Sequence, residues 1–237
     1  MIEASQSDAI AFLTRVCAEA GDSAPPALTH ISRVFFAGPH VFKLKRAVIK
    51  SYLDFSTAAL RCKACARELE LNRRTAPSLY VAVRRITREA DGLAFDGPGE
   101  LVDCVVEMQR FDEECLLDHM AQRGALTPAH MDALAQSISA MHAKAEAHPG
   151  GAQALAHVLA MNENAVQQSF LSSDPGCDAL LTTMKDLCAS SGALLDARAN
   201  AGKVRRCHGD LTLRNIVMLD GAPIPFDCLE FDEELAT

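Results

Sequence analysis

No apolar run in this chain approaches the ~20 residues that a membrane-crossing helix needs, so a helical membrane span is excluded. The opening stretch "MIEASQSDAIAFLTRVCAEAG" lacks a basic segment leading into an apolar core, so no signal peptide is expected. There is no internal repeat and no low-complexity tract, which excludes a solenoid. Basic residues are outnumbered, 23 Lys and Arg against 31 Asp and Glu, for a net charge of −8. That balance argues against a general binder of nucleic acid or of anionic membranes. The nine cysteines are odd in number and irregular in spacing. Cys62 and Cys65 form a C-x-x-C with no second pair and no histidine pair beside it, so thiols in a reducing cytoplasm are expected rather than a metal site.

What remains is 237 residues with 49% hydrophobic and 23% charged side chains, enough for a large core in one domain or two lobes. Residues 7–19 carry Ile10, Leu13 and Val16 at helical spacing. "GDSAPPAL" breaks that helix. "THISRVFFAGPHVFKLKR" reads as two strands around Gly38-Pro39, and a helix follows from about residue 56 to 73. "APSLYVAVRRITR" returns to strand character, and "GLAFDGPGELVDCVVEMQRF" gives two more strands. The first part is therefore a sheet of about five strands interrupted by one helix. Beyond Phe111 the chain reads as helices: a short one ending at Gly124, one capped by Thr127 with Pro128 at its first position, and two over about 152–171 and 175–199. The expected architecture is α+β and two-lobed, residues 1–108 β-rich and residues 109–237 mainly helical.

The chemistry concentrates in "RCHGDLTLRNIVMLDGAPIPFDCLEFD", residues 206–232. Asp220-Gly221 between two apolar runs predicts a small hairpin of residues 216–219 and 224–226. The fold-back would place Asn215 and Asp227 side by side. An amide oxygen beside a carboxylate is a hard-oxygen pair suited to Mg²⁺ with phosphate. Asp210, one short loop away, could orient a hydroxyl and accept its proton. A turn or cap role accounts for any one of these residues alone; the joint pattern points to phosphoryl transfer. Arg205 and Arg206 precede the loop, where one could touch a phosphate or a carboxylate. Glu230 and Asp232 could add charge near an acceptor.

"HGDLTLRN" followed by "FD" resembles the catalytic loop and metal motif of the aminoglycoside phosphotransferase family, which has a protein-kinase-like fold. The stretches "HVFKLKR", "YLDFST", "ELELNRR" and "FDCLEFD" are similar to uncharacterised bacterial proteins that carry such a domain, often followed by a P-loop kinase-like domain. The resemblance implies ATP and Mg²⁺ as cofactors and a small-molecule hydroxyl as acceptor. It implies Asp210 as the catalytic aspartate, His208 as the loop histidine, and Asn215 and Asp227 as metal ligands. Lys43, with Lys45 as the alternative, would hold the ATP phosphates. Glu68 rather than Glu70 would pair with that lysine. The main-chain groups of Glu107, Met108 and Gln109 would meet the adenine edge.

The chain departs from the family in three ways. No G-x-G-x-x-G precedes the lysine strand, which leans away from a protein kinase. Thr212 and Arg214 replace residues common in relatives, which bears on the substrate. Only ten residues follow Asp227 and no G-x-x-x-x-G-K-[ST] occurs, so a truncated C-lobe lacking the P-loop partner is expected. That shortness opens a second expectation, a nucleotide-binding, pseudokinase-like module without turnover.

Overall fold

A computed structural model describes residues 6–50 and 52–237. The chain divides into two compact units: one runs to Ser137 and also takes Leu211–Phe231, and the other comprises Ile138–Asp210 and Asp232–Thr237. Among the described residues no helix is long and apolar enough to cross a membrane.

The first unit opens with helix α1 (Ser7–Glu19), which buries Ala9, Phe12, Leu13 and Cys17 at helical spacing. Strands β1 (Ala27–Leu28), β2 (Ser32–Ala37) and β3 (His40–Lys45) follow, then the short pair β4 (Ile49–Lys50) and β5 (Leu53–Asp54). Helix α2 (Ala58–Asn72) starts where the Thr57 side chain accepts a hydrogen bond from the Leu60 N–H at 3.2 Å, which satisfies one of the orphan donors of the first turn. Strands β6 (Tyr80–Glu89), β7 (Gly92–Phe95) and β8 (Glu100–Gln109) complete an antiparallel sheet in the order β1-β2-β3-β8-β6-β7. The sheet has six strands where about five were expected. The extra one is Ala27–Leu28, two residues that follow a proline pair and pair with β2, too short to carry an alternating pattern.

Side-chain alternation along β3 sorts the core. Phe42 and Leu44 join α1, Phe35 and Val105 on one face of the sheet. Val41 joins Cys65 of α2, Tyr80, Val106 and Met108 on the other. Lys43 and Lys45 share the α2 face with Val41, because residues two apart on a strand point the same way.

The expectation that all nine cysteines are thiols is overturned. Cys62 of α2 and Cys104 of β8 form a disulfide; their Cα atoms lie 5.0 Å apart because the helix packs against that strand. The other seven cysteines form no disulfide. Cys65 is buried, with its Sγ 3.7 Å from the Cys104 carbonyl, and burial pushes its thiol up to about 12.

A buried polar knot also ties α2 to β8. Arg61 Nη2 lies 2.8 Å from Asp103, whose carboxylate also accepts from Gln6 Nε2 at 2.8 Å, and all three residues are buried. Arg61→Met would leave the Asp103 charge buried with only the Gln6 amide and the Cys104 N–H beside it and no cation. It is expected to cost about 3–5 kcal/mol. A urea-unfolding midpoint equal to that of the parent chain would contradict this.

The rest of the first unit holds a short helix α3 (Leu117–Gln122), the first ten residues of helix α4 (Pro128–Lys144), and the hairpin β9 (Ile216–Leu219)/β10 (Ala222–Pro225). The Thr127 Oγ1 accepts from the His130 N–H at 3.3 Å, as its capping position predicts. In the hairpin, Asp220 (φ 49°) and Gly221 (φ 77°) are both left-handed, and Leu219 pairs Ala222. Two positive φ angles in a two-residue loop match the right-handed twist of the strands.

The second unit is built on helices α5 (Ala152–Gln167) and α6 (Pro175–Asn200). Asp174 caps α6 by accepting from the Gly176 N–H at 2.7 Å, with Pro175 at the first position. Lys185 pairs with Glu163 at 2.7 Å to join the two helices. The segment before Asp210 lies against Ala147 through a bridge at Arg205.

Candidate functional site

The first unit contains a cavity of about 330 Å³, in the range of small-ligand sites. Val41, Tyr80, Met108 and Phe226 give it apolar walls; Lys43, Asn215 and Asp227 are polar members of its lining. The hairpin accounts for two of these. Asn215 precedes β9 and Asp227 lies just past β10, and the Phe226 N–H donates to the Asn215 carbonyl at 2.9 Å, closing the base of the hairpin. Asp227 adopts a left-handed φ of 58°, a conformation that few residues other than glycine take and that aspartate tolerates better than most. Its N–H donates to the Tyr80 Oη at 3.2 Å.

Lys43 Nζ lies 2.9 Å from Glu68 Oε1 and also binds Asp227. The choice between Glu68 and Glu70 follows from helix geometry. Glu68 faces the sheet and is fully buried, whereas Glu70 is exposed and pairs with Arg67 at 2.9 Å. Both lysines of the strand reach Glu68: Lys45 Nζ is 2.5 Å from Oε2 and also binds Glu230. Only Lys43 lines the cavity. Burial works against the charge on Lys43, but Asp227 and Glu68 outweigh it and hold the lysine well above its usual range. Burial likewise pushes Glu68 up, and the two lysines pull it back below the usual carboxylate range. Lys43 and Glu68 are therefore both charged at neutral pH. Such a buried cluster is tolerable only because each charge has close partners.

The Glu107 side chain is engaged within the sheet. Its carboxylate takes Arg84 Nε at 2.6 Å and His40 Nδ1 at 2.9 Å, and it is absent from the cavity lining, whereas Met108 and Gln109 are on it. The main chain of all three residues runs inside β8 and pairs with β3; Glu107 and Met108 also pair with β6. The Gln109 N–H donates to the Leu79 carbonyl and the Arg110 N–H to the Pro39 carbonyl, both at 2.8 Å.

Asp210 and His208 belong to the second unit. His208 is buried, and its Nδ1 accepts from the Asp210 N–H at 3.3 Å, so the imidazole shapes the loop. Gly209 between them has φ 83°, which only glycine adopts without strain. Arg205 is held by the carbonyls of Ala143 and Ala145, the latter at 2.7 Å. Asp232 and Glu234 flank His157 at 3.5 and 3.6 Å. Glu230 is buried on Lys45, so it adds no charge to an open acceptor surface.

Sequence reasoning missed Asn72 and Tyr80. Asn72 Nδ2 donates to the Glu68 carbonyl at 2.9 Å, and its Oδ1 accepts from the Cys228 N–H at 2.9 Å, joining α2 to the residue after Asp227. The signal was present in "ELELNRR", where Glu68 and Asn72 are four apart and share a helix face. Tyr80 gave no signal beyond strand propensity.

The donor set can be tested for a divalent cation. One carboxylate and one amide oxygen are hard ligands, and Mg²⁺ is commonly held by one or two carboxylates plus phosphate oxygens and water. Asn215 and Asp227 fit that role in company with phosphates. Among the described residues no group of three or more His, Cys, Asp or Glu side chains offers a self-sufficient metal site.

No family model matches the chain. It is 28% identical over 216 residues to a protein of Mycobacterium bovis and to one from each of two strains of Mycobacterium tuberculosis, all three described only as uncharacterised. The match takes in 87% of this chain and 41% of each relative, so the chain spans about two fifths of the length of these curated relatives.

Proposed function

We propose that the chain is an ATP- and Mg²⁺-dependent phosphotransferase of the aminoglycoside-phosphotransferase kind, with a protein-kinase-like fold, acting on a hydroxyl of a small molecule. The observation that carries this reading is Lys43, shared between Glu68 and Asp227 beside a cavity that Asn215 also lines. A six-stranded antiparallel sheet backed by α2 is compatible with the nucleotide-binding part of such a fold.

In this reading Lys43, oriented by Glu68, donates to ATP phosphate oxygens. The apolar walls from Val41 to Met108 take the adenine and exclude water from it. Asn215 and Asp227 would hold Mg²⁺, whose charge would offset the negative charge that develops during transfer. Asp210 aligns the acceptor hydroxyl and accepts its proton as the oxygen attacks phosphorus.

A thermal-shift series with ATP and Mg²⁺ tests the binding half. At about a hundredfold excess over Kd, the melting temperature is expected to rise by on the order of 5–10 °C. No rise would reject the reading. A rise without ADP release for any hydroxyl acceptor would leave a nucleotide-binding module in place of an enzyme.

A further inference from the structure

We propose that Lys45 and Glu230 are positioning residues: a second, fully interior ion pair that keeps Glu68 and the segment after Asp227 fixed around Lys43. What the fixing is for rests on the phosphotransferase reading; the lock itself rests on the ion pairs.

Lys45 has no exposed side-chain surface and Glu230 has 4%. Lys45 is not part of the cavity lining, so its charge is not needed there to meet a ligand. It bridges two carboxylates instead. One is Glu68, whose other oxygen holds Lys43 at 2.9 Å. The other is Glu230, three residues beyond Asp227. The four contacts close a circuit: Lys43 to Glu68, Glu68 to Lys45, Lys45 to Glu230, and along the chain back to Asp227, which returns to Lys43. With Oε1 hydrogen-bonded to Lys43 and Oε2 in ion-pair contact with Lys45, Glu68 cannot rotate away from Lys43 without also parting from Lys45. The Phe55 ring lies 5.7 Å from the Lys45 ammonium, and Phe231, next to Glu230, meets Tyr52 with ring centroids 5.4 Å apart. These apolar contacts keep water from the pair, so salt screens it little. The active arrangement of Lys43 is thus built in, with no swing of α2 needed to assemble it.

The test uses two variants. Glu230→Gln keeps the shape and removes one charge. Lys45→Met/Glu230→Leu removes both, which avoids stranding an unpaired buried carboxylate at position 230. The first readout is the acylation rate of Lys43 by an amine-reactive ester, followed by peptide mass spectrometry without nucleotide. It is expected to rise about tenfold in both variants, the effect of losing one charge-assisted hydrogen bond's worth of restraint. The second is the Mg²⁺ concentration giving half of the ATP-dependent thermal shift, expected to rise by a similar factor. A purely structural pair would lower the melting temperature and leave both quantities within twofold, which overturns the proposal. If the parent chain shows no ATP-Mg²⁺ shift but Lys43 labelling still rises, the lock stands and the phosphotransferase reading fails.

Discussion

Asp210→Ala is expected to lower kcat by about 10²–10⁴-fold while leaving the ATP-Mg²⁺ thermal shift close to that of the parent chain. The size follows from the role: an aspartate that accepts the hydroxyl proton acts in the transition state, and its loss leaves nucleotide binding alone. The loop geometry supports a separable effect. The Asp210 N–H donates to the Nδ1 of the buried His208 at 3.3 Å, a main-chain contact that a substituted side chain at position 210 can still make. Asp210→Asn makes the sharper comparison, because it keeps size and polarity but cannot take a proton. It should fall as far as the alanine variant. ADP release measured at saturating ATP and acceptor checks both. Undiminished turnover in either variant removes Asp210 from the chemistry.

Lys43→Met is expected to lower kcat/KM for ATP by about 10²–10³-fold, the usual effect of removing one preorganised donor from developing charge. A second effect follows from the network. Two buried cations serve the buried Glu68 and Glu230 and the part-exposed Asp227, and removing Lys43 leaves Lys45 alone beside the two buried carboxylates. The variant should therefore also melt at a lower temperature than the parent. Lys43→Arg is not expected to rescue it, since a planar guanidinium does not fit a slot shaped for an ammonium between two acids. Steady-state kinetics with varied ATP, alongside melting curves, check both effects. A Lys43→Met chain within threefold of the parent in kcat/KM would show that the lysine does not hold the phosphates.

Local signals made much of this fold legible. The dipeptide Asp220-Gly221 dictates its hairpin because its backbone preferences are short-range, and the capping of α4 by Thr127 follows for the same reason. Alternation in "VFKLK" puts both lysines on one face whatever their partners. The partners depend on which helix face meets which strand, and that is a long-range fact. Lys43 and Asp227 are 184 positions apart, and Lys45 and Glu230 are 185 apart. No spacing rule connects them. Glu230 reads as charge available to an acceptor because nothing nearby in sequence marks it as interior. Glu107 could not be separated from Met108 and Gln109 by pattern, since a strand end reads the same whether its carboxylate meets solvent or an Arg84–His40 pair.

The bridge between Cys62 and Cys104 has a mechanical meaning for the same helix. Cys62 lies six residues before Glu68, less than two turns along α2. The acid that grips two lysines therefore rides on a rod bolted to the sheet by a covalent link. Under oxidising conditions the rod's stance is set by chemistry that neither ionic strength nor pH near neutrality loosens. Under reducing conditions the stance rests on charge and packing alone.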